Sequence, residues 1–187
     1  MKKWIARSVF VLLAAGVISL GAVSVHFYQE SRSYQEKLAG EYQANWGRLE
    51  DVTDLAASLY GENLVAYGDL DAPAVRLHVA MAVNNLYLPP HTVLEDSGSF
   101  RDFVRYYLYL VDDLDAPEYA ADATPLFQDM NRDLRELCQE MTESYSENTA
   151  DMTDPESDAY REAEVKIRAF MDEYKDPLSE YFGVEIS

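Results

Sequence analysis

An all-α fold is predicted for this 187-residue chain: an N-terminal transmembrane helix that continues into an extracytoplasmic bundle of four to five helices. Three observations predict it. Apolar residues after position 28 recur at three- and four-residue steps almost throughout, the spacing of one helix face. No run of alternating polar and apolar residues is strong enough to form a sheet. A long uncharged segment lies near the N-terminus, directly behind a basic tip.

Residues 1–7 form that tip, with Lys2, Lys3 and Arg7 and no acid. Residues 8–27 follow as the anchor. No charge occurs from Ser8 to Val25, long enough to cross a hydrocarbon core of about 30 Å. Trp4, Phe27 and Tyr28 fall where interfacial aromatics are expected. Positive charge before the span places the N-terminus in the cytoplasm and residues 28–187 outside. The competing reading is a cleaved signal peptide, with Ala22-Val23-Ser24 as its small-x-small site. The length of the apolar run and the helical pattern through that site favour an uncleaved anchor. In both readings the acidic domain is exported. No second apolar span occurs in the sequence, which argues against a two-span receptor.

The first helix is expected to run from the membrane to about Tyr60, because Tyr34, Leu38, Tyr42, Trp46, Leu49, Val52, Ala56 and Leu59 share a stripe. Gly40 and Gly47 weaken it without ending it, and Gly61 is a stop. A second helix starts near Asp71-Ala72-Pro73, carries Val75, Val79, Val83 and Leu86, and ends at Leu88-Pro89-Pro90. Ser97 or Ser99 caps a third, whose apolar face is Phe100, Phe103, Val104, Tyr107, Leu110 and Val111. Ala116-Pro117 closes it. The fourth opens at Thr124-Pro125 and carries Phe127, Met130, Leu134, Leu137, Cys138, Met141 and Tyr145. A polar stretch separates a fifth helix, capped by Asp154-Pro155, with Ala159, Ala163, Ile167, Phe170, Met171 and Tyr174 on its stripe.

Charge narrows the function. Setting aside the three basic residues of the tip leaves 12 basic against 34 acidic residues, a net of −22. Such a surface repels nucleic acid and anionic headgroups, so neither is an expected partner of the folded domain. It favours solubility, cationic partners or loosely held divalent cations, and the plainest reading is solvation. The single cysteine, Cys138, rules out a disulfide within the chain and reads as a small core residue.

No motif for chemistry emerges. No serine lies in G-x-S-x-G. His26, His78 and His91 have no ligand spacing, so no metal is expected. The groups Asp69/Asp71, Asp112/Asp113/Asp115 and Asp151/Asp154/Glu156/Asp158 resemble calcium loops only in charge, and read as caps and solvated faces. No cofactor and no catalytic residue is expected. The 14 tyrosines are the unusual feature. In the run Tyr106-Tyr107-x-Tyr109, helical spacing turns Tyr107 inward with Phe103 and Leu110 and leaves Tyr106 and Tyr109 elsewhere. Trp46, Tyr106 and Tyr109 are therefore the candidate partner-binding residues. The competing reading is amphipathic packing at the edge of the core.

The layout resembles the N-terminal region of the spore germination protein YpeB family. The features are Tyr42-x3-Trp46-x2-Leu49, a helix ending in Leu86-x-Leu88-Pro89, the aromatics Phe100, Phe103 and Tyr107, the leucines Leu126, Leu134 and Leu137, and Pro177-x3-Tyr181-x-Gly183. The resemblance covers nearly the whole chain. The family continues into PepSY-type repeats where this sequence ends at Ser187, which makes the chain a truncated, split or shortened relative. The resemblance implies no enzymatic activity of its own. It implies a role at the outer face of the inner spore membrane, beside the SleB-like cortex-lytic hydrolase whose stable presence depends on the family. The expected function is thus a non-enzymatic, membrane-tethered interaction domain that holds or stabilises an exported partner. The alternatives are an extracytoplasmic ligand-sensing or signalling bundle and a wall-active enzyme with an unrecognised site.

Overall fold

Residues 2–60, 72–85, 88, 92–94 and 98–186 are described by the structure, a computed structural model; within them, the side chains of 2–15, Ile18, Leu59, Ala72, Val75, Val93 and Leu94 are outside the description. Five α-helices follow one another: α1 (Lys2–Tyr60), α2 (Ala72–Asn84), α3 (Phe100–Asp113), α4 (Ala120–Glu147) and α5 (Asp158–Phe182). A 3-10 turn, Asp151–Thr153, lies before α5. The all-α class is thus as predicted, with one addition. Val93–Leu94 (β1) pairs antiparallel with Gly98–Ser99 (β2), Val93 opposite Ser99 and Leu94 opposite Gly98. Strands of two residues are too short to leave an alternating pattern in a sequence.

The chain divides into two compact units, Met1–Leu38 and Ala39–Ser187. The first is helical, and its described side chains from Gly16 to Tyr34 are all exposed, Val17, Leu20, Val23 and Val25 among them. Among the described residues no helix is long and apolar enough to cross a membrane. Half of the predicted anchor falls outside that statement, because the side chains of 8–15 and Ile18 are not among those described.

The second unit holds the core. From Ala39 onward the α1 stripe is buried: Tyr42, Trp46, Leu49, Val52 and Ala56. The predicted stripe began too early, for Tyr34 is 74% exposed. Cross-helix contacts set the directions. Gln43 Nε2 donates to the Thr142 carbonyl at 3.3 Å, Gln139 Nε2 to Glu50 Oε1 at 2.9 Å, and Asp54 pairs with Arg135 at 2.7 Å. Positions rise along α1 as they fall along α4, so the two are antiparallel. Lys166 pairs with Glu140 at 3.1 Å and the Tyr174 hydroxyl donates to Asp133, which makes α4 and α5 antiparallel too. Phe100 and Phe103 meet Phe170 near the start of α3, and Asp113 meets Tyr181 at its end. Helices α3 and α5 are therefore parallel.

Local sequence explains the helix ends. The third helix buries all six residues of its predicted face, spaced at i, i+3, i+4 and i+7. Ser99 stands at its N-cap with extended backbone but its side chain makes no cap bond, and Ser97 lies outside the described residues. The second helix stops at Asn84, earlier than the proline pair predicts. There the Asn85 side chain donates at 2.8 Å to the Met81 carbonyl, which also accepts the Asn85 backbone N–H at 3.1 Å, so an asparagine that bonds the neighbouring backbone stands at the helix end. The fourth begins at Ala120, a turn before Thr124-Pro125. Backbone bonds from Ala120 and Ala123 back to Ala116 and Tyr119 start it, and the Thr124 hydroxyl bonds the Ala120 carbonyl at 2.6 Å. Pro125 stands inside the helix as its sixth residue, so the N–H that would bond the Ala121 carbonyl is absent there. The fifth is capped by Ser157, whose hydroxyl accepts from the Tyr160 N–H at 3.0 Å; Asp154 instead accepts from the Glu156 N–H. It closes on Gly183, at φ +64°, the left-handed conformation that favours glycine.

Candidate functional site

The outer face of α3, the start of α4 and the end of α5 come together at one edge of the second unit. Helix α3 places Tyr106 and Tyr109 there, each one position before a residue of its buried stripe. Tyr106 is half-buried and Tyr109 is 48% exposed, while Tyr107 between them is fully buried. Phe182, in the last turn of α5, joins the two exposed-side tyrosines. Its ring centre lies 5.6 Å from that of Tyr106 and 6.1 Å from that of Tyr109, which are 5.9 Å apart and edge-to-face. Tyr181 packs edge-on against Phe182 at 4.8 Å. Edge contacts of this kind favour the positive rim of one ring against the negative face of the next.

Two cavities flank Tyr109. One, of about 320 Å³, is bounded by Asp102, Arg105, Tyr106, Glu185 and Ile186 among others. The other, of about 720 Å³, is walled by Tyr109, Tyr119, Tyr181 and Phe182 together with Asp112, Asp113 and Asp122. Their electrostatics differ. Arg105 pairs with Asp102 at 2.7 Å, so the first cavity carries its own cation. The second has no basic residue in its wall. Partial burial pushes the Asp112 carboxyl up, Arg76 opposes this, and the neighbouring Asp113 and Asp115 add to it.

Trp46 does not belong to this edge. It is fully buried, its ring centre 5.3 Å from that of Phe100, and its indole N–H has no hydrogen-bond partner among the described residues. The structure therefore brings Tyr106 and Tyr109 together and sets Trp46 apart in the core. A helical stripe places Trp46 on the same face as Leu49 and Tyr42, and that face is the one α4 covers.

The tyrosines and acids have a further use that spacing did not predict. Four phenols donate across helices: Tyr60 to Asp115 at 2.9 Å, Tyr181 to Asp113 at 2.9 Å, Tyr174 to Asp133, and buried Tyr107 to Asn131. Burial, with the carboxylate as the next cause, raises the Tyr60, Tyr174 and Tyr181 hydroxyls, Tyr181 to about 12. Part of the acidity read as solvation is thus spent holding helices together. The partners lie 24 to 68 residues apart in sequence, so no local pattern announces them.

Cys138 is buried and its thiol is pushed up by that burial, then by Glu50. His78 is exposed on α2 with Nδ1 2.8 Å from the Ala74 carbonyl, and His91 lies outside the described residues. Among the described residues, no three of His, Cys, Asp and Glu converge as metal ligands. Compared with protein-family models, with curated proteins and with solved structures, the chain matches none.

Proposed function

We propose that this chain is a non-enzymatic, membrane-tethered interaction domain that holds or stabilises an exported partner. The observation that carries the reading is the aromatic edge, where Tyr109 and Tyr119 are about half exposed beside Tyr106, Tyr181 and Phe182. Large aromatic side chains that remain partly exposed in an otherwise amphipathic bundle supply contact area with a polar handle, the composition of an interface centre. The tether rests on the sequence of residues 1–28: a basic tip, an uncharged run and flanking aromatics. The exposed Val17, Leu20, Val23 and Val25 side chains also call for an apolar cover. The resemblance to the YpeB family narrows the partner to a SleB-like cortex-lytic hydrolase at the spore inner membrane. A cavity of about 720 Å³ favours the second reading, a bundle that senses a ligand.

Recovery from the membrane fraction with tagged full-length chain tests the first reading. An exported hydrolase retained by the chain is the expected result. No exported protein, under conditions where a control complex survives, overturns it. Release of the chain by alkaline wash would remove the tether, and muropeptide release from peptidoglycan by the purified chain would make it an enzyme.

A further inference from the structure

The larger cavity beside Tyr109 is built from two kinds of wall. Four rings, those of Tyr109, Tyr119, Tyr181 and Phe182, present aromatic surface, and three carboxylates, those of Asp112, Asp113 and Asp122, present charge. Arg76, whose charge acts on Asp112, is paired with Asp115 at 3.2 Å and does not line the cavity. Asp113 accepts from the Tyr181 hydroxyl, which orients it without neutralising it. Among the described residues, neither Asp112 nor Asp122 has an ion-pair partner. The cavity therefore combines ring faces with an excess of negative charge that Arg76 offsets only from outside the wall, and its complement is a flat organic cation.

We propose that this cavity receives an arginine side chain presented by the exported partner, its guanidinium stacked on the rings and hydrogen-bonded to Asp112 and Asp122. The inference rests on the partner-holding reading and names the chemistry by which the partner is held. Guanidinium suits both walls at once. It is planar and weakly hydrated, so it stacks on rings, and its fork of N–H donors matches carboxylates. Lysine presents a strongly hydrated point charge that uses the rings less well. A hard divalent cation needs several converging oxygens, and among the described residues no three carboxylates group as metal ligands. The neighbouring cavity sets Arg105, paired with Asp102, against the two acids Asp102 and Glu185, so its wall holds a cation that would repel a second guanidinium, and the larger cavity with three carboxylates and no base is the stronger site.

Fluorescence anisotropy of labelled acetyl-Gly-Arg-Gly-Arg-Gly-amide, titrated with full-length chain in dodecyl maltoside micelles, tests this. Its lysine and citrulline counterparts are the comparisons. Expected is binding at least tenfold tighter for arginine than for citrulline, and tighter than for lysine. The double variant Tyr109→Ala, Tyr119→Ala leaves net charge unchanged and removes two rings that are 48% and 53% exposed, so the core is spared. It is expected to weaken arginine-peptide binding at least tenfold, and Asp122→Asn several-fold. The pair Glu147→Gln, Asp151→Asn removes two charges near the far end of α4, about 38 Å from Asp122 along the helix, and is expected to change binding less than twofold. Equal binding of the arginine and citrulline peptides, equal arginine and lysine affinities, unchanged binding by the ring variant, or an equal loss in the distant pair each overturns the proposal. Should the ring variant lose its helical circular dichroism, Asp122→Asn decides alone. The membrane-fraction recovery separates the two readings. A partner retained by the ring variant overturns the cavity's role and leaves the interaction domain standing. No partner for the parent chain overturns that broader reading, while the peptide titration still decides what the cavity takes.

Discussion

Two aromatic clusters in the same domain are held on different terms. Around Trp46, rings are fully buried among α1, α3 and α5: Trp46 lies on Phe100, and Phe100 on Phe170. Around Phe182, rings of α3 and α5 touch, Tyr109 edge-on and Tyr106 tilted, but stay partly in water, with carboxylates beside them. Helix α3 feeds both. Phe100, Phe103 and Tyr107 point to the core, and Tyr106 and Tyr109, a rotation of about 100° or more away, point to the edge. Aromatic content alone therefore says nothing of role. Depth decides whether a ring stabilises by burial or remains available, and neighbouring charge decides for what.

The largest expected effect lies on the buried side. Trp46→Ala removes a fully buried indole and is expected to destabilise the domain by about 3–5 kcal/mol, read as a lower urea midpoint. Trp46→Phe should cost much less, since the indole N–H has no partner to lose. If both substitutions are equally mild, the buried cluster is not what holds the domain. Next comes Tyr107→Phe, which leaves the Asn131 side chain, 5% exposed, without its phenol donor. An orphaned buried acceptor costs about 1–3 kcal/mol. Urea unfolding checks it, and Asn131→Leu in the same background should recover part of the loss by removing the orphan.

The edge responds to pH instead. Tyr181, hydrogen-bonded to Asp113, is pushed from the ordinary 10.0 to about 12, and Tyr60 and Tyr174 shift in the same direction. The folded state then keeps phenol protons that the unfolded state has lost. Their stabilisation is complete below pH 10 and declines as pH rises toward 12. Unfolding midpoints at pH 8, 10 and 11.5 should fall in that order, and Tyr181→Phe should flatten part of the fall. The smallest effect is expected at Tyr109→Ala, which removes a ring 48% exposed and should change stability by only about 0.5 kcal/mol. A loss as large as that of Trp46→Ala would erase the distinction between the clusters.

Sequence periodicity alone determined the helical class and most of the interior. The buried residues of α3, and the apolar ones of α4 from Phe127 to Tyr145, are those its three- and four-residue spacing selects, while buried Asn131 was not among them. The end of α1 at Tyr60 and the start of α2 at Ala72 were legible as well, because stripes and cap signals are local. Even the outward turn of Tyr106 and Tyr109 was readable, since it follows from helix geometry. Tertiary structure alone decided which stripe residues were covered. Tyr34 and Trp46 obey the same spacing, yet one is exposed and the other buried, because burial needs a second helix opposite. It also decided the company Tyr109 keeps. Phe182 and Tyr181 lie more than 70 residues away along the chain, and only the parallel packing of α3 and α5 brings their rings and the carboxylates of Asp112 and Asp113 into one wall. The tyrosine–carboxylate bonds are invisible in sequence for the same reason: each joins residues that are neighbours in space and strangers in order.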